Sequence, residues 1–254
     1  MIDYQKNINK VIQNMREAKV DYIQQYRNAL SPELCDYFIK KHKNLDKLNI
    51  TQEGQAFGPD GKERVNKNSK MSKDVFLCAA EEKSKKGLYN MSEDETDNKM
   101  YDLLTKSINR HLYLYFLHVG IETPLYLGIN KNNFNRYFKS ESECPEMKGN
   151  IGVDTICLRS YEKNKGGYFT PHFDNKTNIF RLVGVIIYLN DIKFGGETEF
   201  PSKNRMIVPE KGSLAIFPSN FAYWHYGRKA SSNKYAIVCH VSRYPLNQTK
   251  KEKK

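Results

Sequence analysis

The sequence predicts an α+β fold that is mainly β, with a sandwich or barrel core braced by helices towards the N-terminus. Three observations predict it. Short strand-forming runs separated by Gly and Pro turns fill the chain from residue 154 onwards, the pattern of a closed or two-layered β core. Three apolar stripes at helical spacing lie before residue 119. At 254 residues, with 39% hydrophobic content, the chain can bury one large core, and a second full domain is not expected.

Taken in order, residues 1–19 align Ile8, Val11, Ile12 and Met15 on a helical stripe expected to pack across the sheet. Residues 21–26 read as a short strand. Ser31 as N-cap and Pro32 at the first helical position then start a helix expected to reach about residue 43, burying Leu34, Phe38 and Ile39. From 51 to 98 the pattern breaks down. Gly54, Gly58, Pro59 and Gly61 punctuate polar sequence, so the expectation is loops around a single strand at 74–78, forming a lid or a surface insertion. A longer helix is predicted over 96–118, capped by Asp94 or Thr96, with Leu103, Leu104, Ile108, Leu112 and Tyr115 at helical spacing. Residues 130–150 read as loop. Beyond them 154–161 alternates as a strand, Gly166-Gly167 supplies a turn, 182–189 is a near-continuous apolar strand, and Gly195-Gly196 opens the next connection. The expected organisation is one domain over 1–254: helical support and a loop or lid region over 1–150, the β core with the candidate site over 151–246, and a basic tail over 247–254.

Composition bounds the surroundings. The longest apolar run, 182–189, is too short to span a bilayer, and the charged start Met1-Ile2-Asp3-Tyr4-Gln5-Lys6 lacks the apolar segment of a signal peptide. A soluble, intracellular protein without a membrane partner is expected. Five cysteines, Cys35, Cys78, Cys144, Cys157 and Cys239, show no CxxC spacing and are expected to be reduced thiols. The formal charge of +12 is spread along the chain rather than concentrated, so a nucleic-acid partner is not expected.

The chemistry concentrates between Tyr161 and Lys234. Alternate residues of a strand face the same side, so an extended run Phe169-Thr170-Pro171-His172-Phe173-Asp174 projects the His172 imidazole and the Asp174 carboxylate together. His225, after a strand-like run at 212–217 and a Pro218-Ser219-Asn220 turn, supplies a third ligand. Two His and one carboxylate form a facial triad that holds Fe(II) with open positions, and the lack of thiolates argues against structural zinc. Lys234, nine residues after His225, opens a strand-forming run and can aim its ammonium into the same pocket, to pair with the distal carboxylate of a dicarboxylic acid. Tyr161 can add a phenol hydrogen bond. Arg228, Lys229 and Arg243 are rival cations; spacing favours Lys234.

These residues sit in blocks that resemble a known family. Gly167-Tyr168-Phe169-Thr170-Pro171-His172-Phe173-Asp174, Ile187-Tyr188-Leu189-Asn190-Asp191, Gly195-Gly196-Glu197-Thr198-Glu199-Phe200-Pro201, Pro209-Glu210-Lys211-Gly212-Ser213, and His225 followed by Lys234-Tyr235 occur in the order found in Fe(II)/2-oxoglutarate-dependent dioxygenases of the prolyl 4-hydroxylase group. The resemblance spans roughly the last 95 residues, with Asn28-Ala29-Leu30-Ser31-Pro32-Glu33-Leu34-Cys35 similar to the family's N-terminal helix entry. It implies a double-stranded β-helix (jelly-roll, cupin-like) core and the cofactors Fe(II), 2-oxoglutarate and O₂, with ascorbate as an accessory. It also implies metal ligands His172, Asp174 and His225, 2-oxoglutarate contacts from Lys234 and Tyr161, and hydroxylation of a prolyl residue in a peptide or protein with release of succinate and CO₂. The basic charge favours a nucleic-acid demethylase on the same barrel as the alternative; hydroxylation of another amino-acid side chain is a further one. A non-catalytic jelly-roll binding module is disfavoured because all four catalytic positions are filled.

Other candidates receive plainer readings. His111 and His118 lie seven apart on the long helix without a nearby carboxylate and read as helix histidines. His240 reads as a core or sheet-face histidine. Glu197 and Glu199 read as structural, and Arg159 and Trp224 only as close to the site. Tyr161, Tyr168, Phe169, Tyr223 and Trp224 are the aromatics expected to flank a substrate groove on which a proline ring can pack.

Overall fold

A computed structural model of the chain describes residues 21–57, 63–79, 83–119, 150–154, 156–163, 169–174 and 180–244. In chain order the elements are β1 (Gln24–Tyr26), α1 (Pro32–Lys47), β2 (Gln52–Glu53), β3 (Gln55–Phe57), β4 (Glu63–Val65), β5 (Lys73–Cys78), β6 (Leu88–Asn90) and α2 (Glu95–His118). There follow β7 (Asn150–Val153), β8 (Ile156–Tyr161), β9 (Phe169–His172), β10 (Phe180–Tyr188), β11 (Thr198–Phe200), β12 (Arg205–Ile207), β13 (Leu214–Pro218), β14 (His225–Gly227) and β15 (Lys234–Tyr244). The predicted N-terminal helix, the 130–149 loop, the Gly166-Gly167 turn and the basic tail lie outside the described residues.

Nine strands form a large sheet in the order β1-β13-β10-β15-β8-β5-β2, with β6 added to β5 and β7 to β15. Four more form a small sheet, β12-β11-β14-β9, and β3 and β4 make a separate hairpin. This is a jelly-roll, the mainly β fold with supporting helices that the sequence predicts.

Strand alternation decides what each face of the large sheet does. On β8, Ile156 and Leu158 join the buried cluster with the helices, while Cys157, Arg159 and Tyr161 line a cavity on the opposite face. On β15, Ile237, Cys239 and Val241 face the helices, and Lys234, Ala236, Val238 and His240 face the cavity. The helix side is sealed by Leu34, Cys35, Phe38 and Leu45 of α1 and by Leu104, Ile108, Leu112 and Tyr115 of α2. Removing one such side chain from water stabilises by roughly 1.5–3 kcal/mol. A second cluster between the sheets, Ile23, Tyr188, Phe200, Ile207, Ala215 and Phe217, closes the end of the roll behind the cavity.

Both helix starts follow the expected caps. Ser31 Oγ accepts from the Leu34 amide at 3.3 Å, with Pro32 in the first turn. The helix runs four residues beyond the expected end, where Leu45 is also buried. Asp94 accepts from the Asp97 amide at 2.9 Å. Asp97 is itself buried and accepts from Tyr37, from Tyr89 at 2.6 Å and from Lys41 at 2.6 Å, which pins α2 to α1 and β6.

The 51–98 segment corrects the sequence expectation. Its described residues carry five strands rather than one. All but β5 are two or three residues long and largely polar, too short for an alternating pattern, and their pairing comes from neighbours such as the Gln52–Asp74 register. Backbone contact ties this segment to the small sheet, the Thr170 amide donating to Ser69 at 2.8 Å.

Candidate metal centre

The cross-strand register builds the site. His225, first residue of β14, pairs with His172, last residue of β9, and the two imidazole centroids lie 4.4 Å apart. Asp174 lies just past the end of β9 rather than on it, yet its carboxylate still turns in: Oδ1 is 3.5 Å from His172 Nε2 and Oδ2 is 3.8 Å from His225 Nε2. One ligand atom from each of the three residues lies within 4.8 Å of the others. Among the described residues this is the group of His, Cys, Asp and Glu that can hold a metal ion.

The donor chemistry fits a divalent transition metal. His172 Nδ1–H donates to the Thr170 carbonyl at 2.7 Å and His225 Nδ1–H to the Tyr223 carbonyl at 3.2 Å. Each bond fixes the tautomer that leaves an Nε2 lone pair facing inward. Burial pushes His225 down to about 4, so its imidazole is a neutral donor at ordinary pH. Desolvation alone would raise the Asp174 carboxyl, but His240 and His225 hold it well below the usual carboxylate range. Space is reserved as well. A Cβ on Gly184 of β10 would come within 2.9 Å of Asp174 Oδ2 and 2.8 Å of the Phe217 ring, so glycine here is what admits the carboxylate.

The triad opens into a cavity of about 550 Å³ whose lining includes Tyr161, Thr198, Lys234 and Arg159. Lys234 pairs in register with Tyr161, and its ammonium lies 5.5 Å from the Tyr161 ring centre and 5.2 Å from that of Tyr188. It donates to the Gly196 carbonyl at 2.6 Å, at a Gly195-Gly196 turn where both residues have positive φ. Burial depresses Lys234 to about 8. All five residues predicted from sequence therefore meet at one cavity. The rivals do not: Arg228 is half exposed and turned to Glu197 and Glu199, and Lys229 is not in the lining. The Arg243 side chain lies outside the described residues.

Three features escaped the sequence reading. His240 is a buried sheet-face histidine as read, but its contact with the triad was not foreseen: its Nε2 lies 3.4 Å from Asp174 Oδ2. Burial would lower it, but Asp174 and Asp154 outweigh burial and raise it. The available signal was its position six residues after Lys234 on one strand, hence on the same face. Second, Asp74 on β5 is gripped by Arg159 through two bonds, 2.9 and 3.1 Å, by Lys70 at 2.7 Å and by Ser72 at 2.8 Å. Arg159 also donates to the Tyr161 hydroxyl at 3.4 Å. Third, Phe173 was not expected at the groove; it stands beside Trp224, which was, the two exposed rings 5.2 Å apart on residues adjoining Asp174 and His225. Of the aromatics expected at the groove, Tyr161 is buried in the wall, Tyr223 packs on the inter-sheet cluster, and the Tyr168 and Phe169 side chains lie outside the described residues. His111 is a helix histidine as read, donating to the Ser107 carbonyl at 2.8 Å.

A jelly-roll carrying a His-Asp-His centre between its sheets is the architecture of oxygen-activating non-haem metalloenzymes. Comparison with known proteins narrows this. Residues 157–242 match the model of the 2OG-Fe(II) oxygenase superfamily. The fold is similar to a prolyl hydroxylase from Trichoplax adhaerens solved with a hypoxia inducible factor oxygen degradation domain peptide fragment (TM-score 0.59, 17% identity, covering 94% of this chain and 91% of that one). It is similar also to a Pseudomonas putida prolyl-4-hydroxylase (0.54, 13%, 93% and 99%) and to the viral collagen prolyl hydroxylase of Paramecium Bursaria Chlorella virus-1 in its 2OG complex (0.53, 17%, 88% and 97%). No curated protein matches the chain. Residues 157–242 thus carry the sequence pattern of the 2OG-Fe(II) oxygenase superfamily, and the fold is similar to that of prolyl hydroxylases. No helix among the described residues is long and apolar enough to cross a membrane.

Proposed function

We propose that the chain is an Fe(II)- and 2-oxoglutarate-dependent dioxygenase that hydroxylates a prolyl residue in a peptide or protein, acting as one catalytic domain. The observation that carries the reading is the joining of His172, Asp174 and His225 to a buried cation in one cavity. Fe(II) with 2-oxoglutarate and O₂ supplies the oxidising power, one oxygen atom going to succinate as CO₂ leaves and the other into a substrate C–H bond; ascorbate serves as accessory reductant.

The chain's own residues do the rest. His172, Asp174 and His225 hold the metal on one side and leave the cavity side for ligands. Lys234 binds the distal carboxylate of 2-oxoglutarate, and Tyr161 donates its phenol to it, fixing the acid's orientation. Phe217 and Phe200 pack against His225 and keep bulk water from that side of the centre. Phe173 and Trp224 offer an aromatic clamp beside the metal ligands, suited to an extended proline-containing segment that is already stiff. Two structural relatives, one a collagen prolyl hydroxylase and one solved with a peptide fragment, support a peptide or protein substrate.

The test is incubation of the purified protein with Fe(II), 2-oxoglutarate and proline-rich peptides. Those peptides stimulate succinate release and gain one oxygen atom at a prolyl ring carbon, at C4. Demethylation of a methylated oligonucleotide, with no peptide hydroxylated, would overturn the prolyl reading while leaving the metal chemistry standing.

A further inference from the structure

We infer that His240 is a positioning residue for the metal ligand Asp174, a role that rests on the proposed reading of the triad. The ring stands between two carboxylates. Its Nε2 is 3.4 Å from Asp174 Oδ2 and its Nδ1 is 3.6 Å from Asp154 Oδ1. Asp154 is fixed in turn. Its Oδ1 accepts from the His240 amide at 2.9 Å, its Oδ2 from Ser242 Oγ at 3.2 Å and from Arg181 Nε at 3.2 Å, and its own amide donates to the His240 carbonyl at 2.8 Å. Arg181 then closes the loop by donating from Nη1 to the Asp174 carbonyl at 3.3 Å. A register irregularity between Arg181 and Val183 aims that guanidinium. Side chain and backbone of Asp174 are thus held from two strands of the large sheet, β15 and β10, although Asp174 itself lies beyond the end of its strand.

His240 is not a fourth ligand, because it falls outside the group whose donor atoms lie within 4.8 Å of one another. It sits behind the carboxylate. By donating from Nε2 to Oδ2 it restricts rotation of the carboxylate and keeps Oδ1 turned to His172, so the ligand is oriented before metal arrives. An unheld carboxylate past a strand end would have to be ordered by the metal itself, at the expense of affinity.

The experiment is titration of the metal-free protein with Co(II), read by calorimetry and by the visible absorption spectrum, for wild type, Asp174→Ala, His240→Leu, His240→Gln and His240→Asn. Glutamine carries an amide N–H where Nε2 stands; asparagine carries one near Nδ1. His240→Leu is expected to weaken Co(II) binding roughly 10–100-fold and to change the spectrum, and His240→Gln to recover both more fully than His240→Asn. Should His240→Leu fail to fold, the Gln and Asn pair carries the test. Wild-type affinity and spectrum in His240→Leu, or equal affinities for Gln and Asn, overturn the inference. Loss of binding in Asp174→Ala with none in the His240 variants removes this inference alone; unaltered binding in Asp174→Ala removes the triad reading and this one with it.

Discussion

Lys234→Ala is the most informative single perturbation of the cavity. Lys234 is 6% exposed and its ammonium donates to a backbone carbonyl, Gly196, at 2.6 Å. Glu197 favours its charge through space, yet the buried Glu197 Oε2 finds no hydrogen-bond partner. On the proposed reading this buried cation pairs with the distal carboxylate of 2-oxoglutarate. Breaking a buried ion pair by removing one member costs about 3–5 kcal/mol. The cavity opens to solvent, so the lower figure applies, and about 3 kcal/mol is on the order of a hundredfold in affinity. Calorimetry of 2-oxoglutarate binding to Mn(II)-loaded protein and the dependence of succinate release on 2-oxoglutarate should both shift by that factor, while Mn(II) affinity stays at the wild-type value. Unchanged 2-oxoglutarate binding in Lys234→Ala refutes the reasoning. If Arg159→Ala weakened binding instead, the role would pass to Arg159, which lines the same cavity.

Four further outcomes follow from the same geometry. Because Lys234 is depressed to about 8, its charge is present below that pH and lost above it. Affinity for 2-oxoglutarate should be flat about a unit or more below that pKa, bend through it and fall towards tenfold per unit above it; Lys234→Arg should abolish that decline, and persistence of the decline in Lys234→Ala would reject the assignment. Gly184→Ala pushes a methyl group against Asp174 and the Phe217 ring, so thermal unfolding should show a loss of about 1–3 kcal/mol and a smaller stabilisation by Mn(II). Asp74→Ala strands Arg159 and Lys70 without their shared carboxylate; a loss of about 3 kcal/mol or more is expected, lowering the melting temperature by roughly 6–12 °C, and an unchanged midpoint would contradict it. Phe173→Ala and Trp224→Ala should each raise the peptide KM roughly fivefold, about 1 kcal/mol of aromatic contact, with 2-oxoglutarate affinity unaltered.

Much of this molecule was legible in its sequence because the deciding patterns are local. Ser31-Pro32 and Asp94 announce their helices through capping chemistry, and the alternation on β8 and β15 separates helix-facing from cavity-facing residues. His172, Asp174, His225 and Lys234 were legible as a set because their chemistry is rare in combination, though each alone is ordinary. What was missed depends on partners distant in sequence. Asp74 becomes a buried anchor only when β5 lies beside β8, 85 residues on, with Arg159 at the paired position. His240 acquires a role from Asp154 and Asp174, on two other segments. Short polar strands such as β2 to β4 have no pattern of their own; the neighbours that accept their hydrogen bonds define them.

The central claim is that His172, Asp174 and His225 hold the iron that turns over 2-oxoglutarate. Succinate formation and bound metal, measured together on wild type, His172→Ala and Asp174→Ala loaded with Fe(II), test it most directly. Fe(II)-dependent succinate from the wild type, abolished by a chelator, is expected, with loss of turnover and depleted metal in both variants. Wild-type succinate output and metal content in either variant would contradict it.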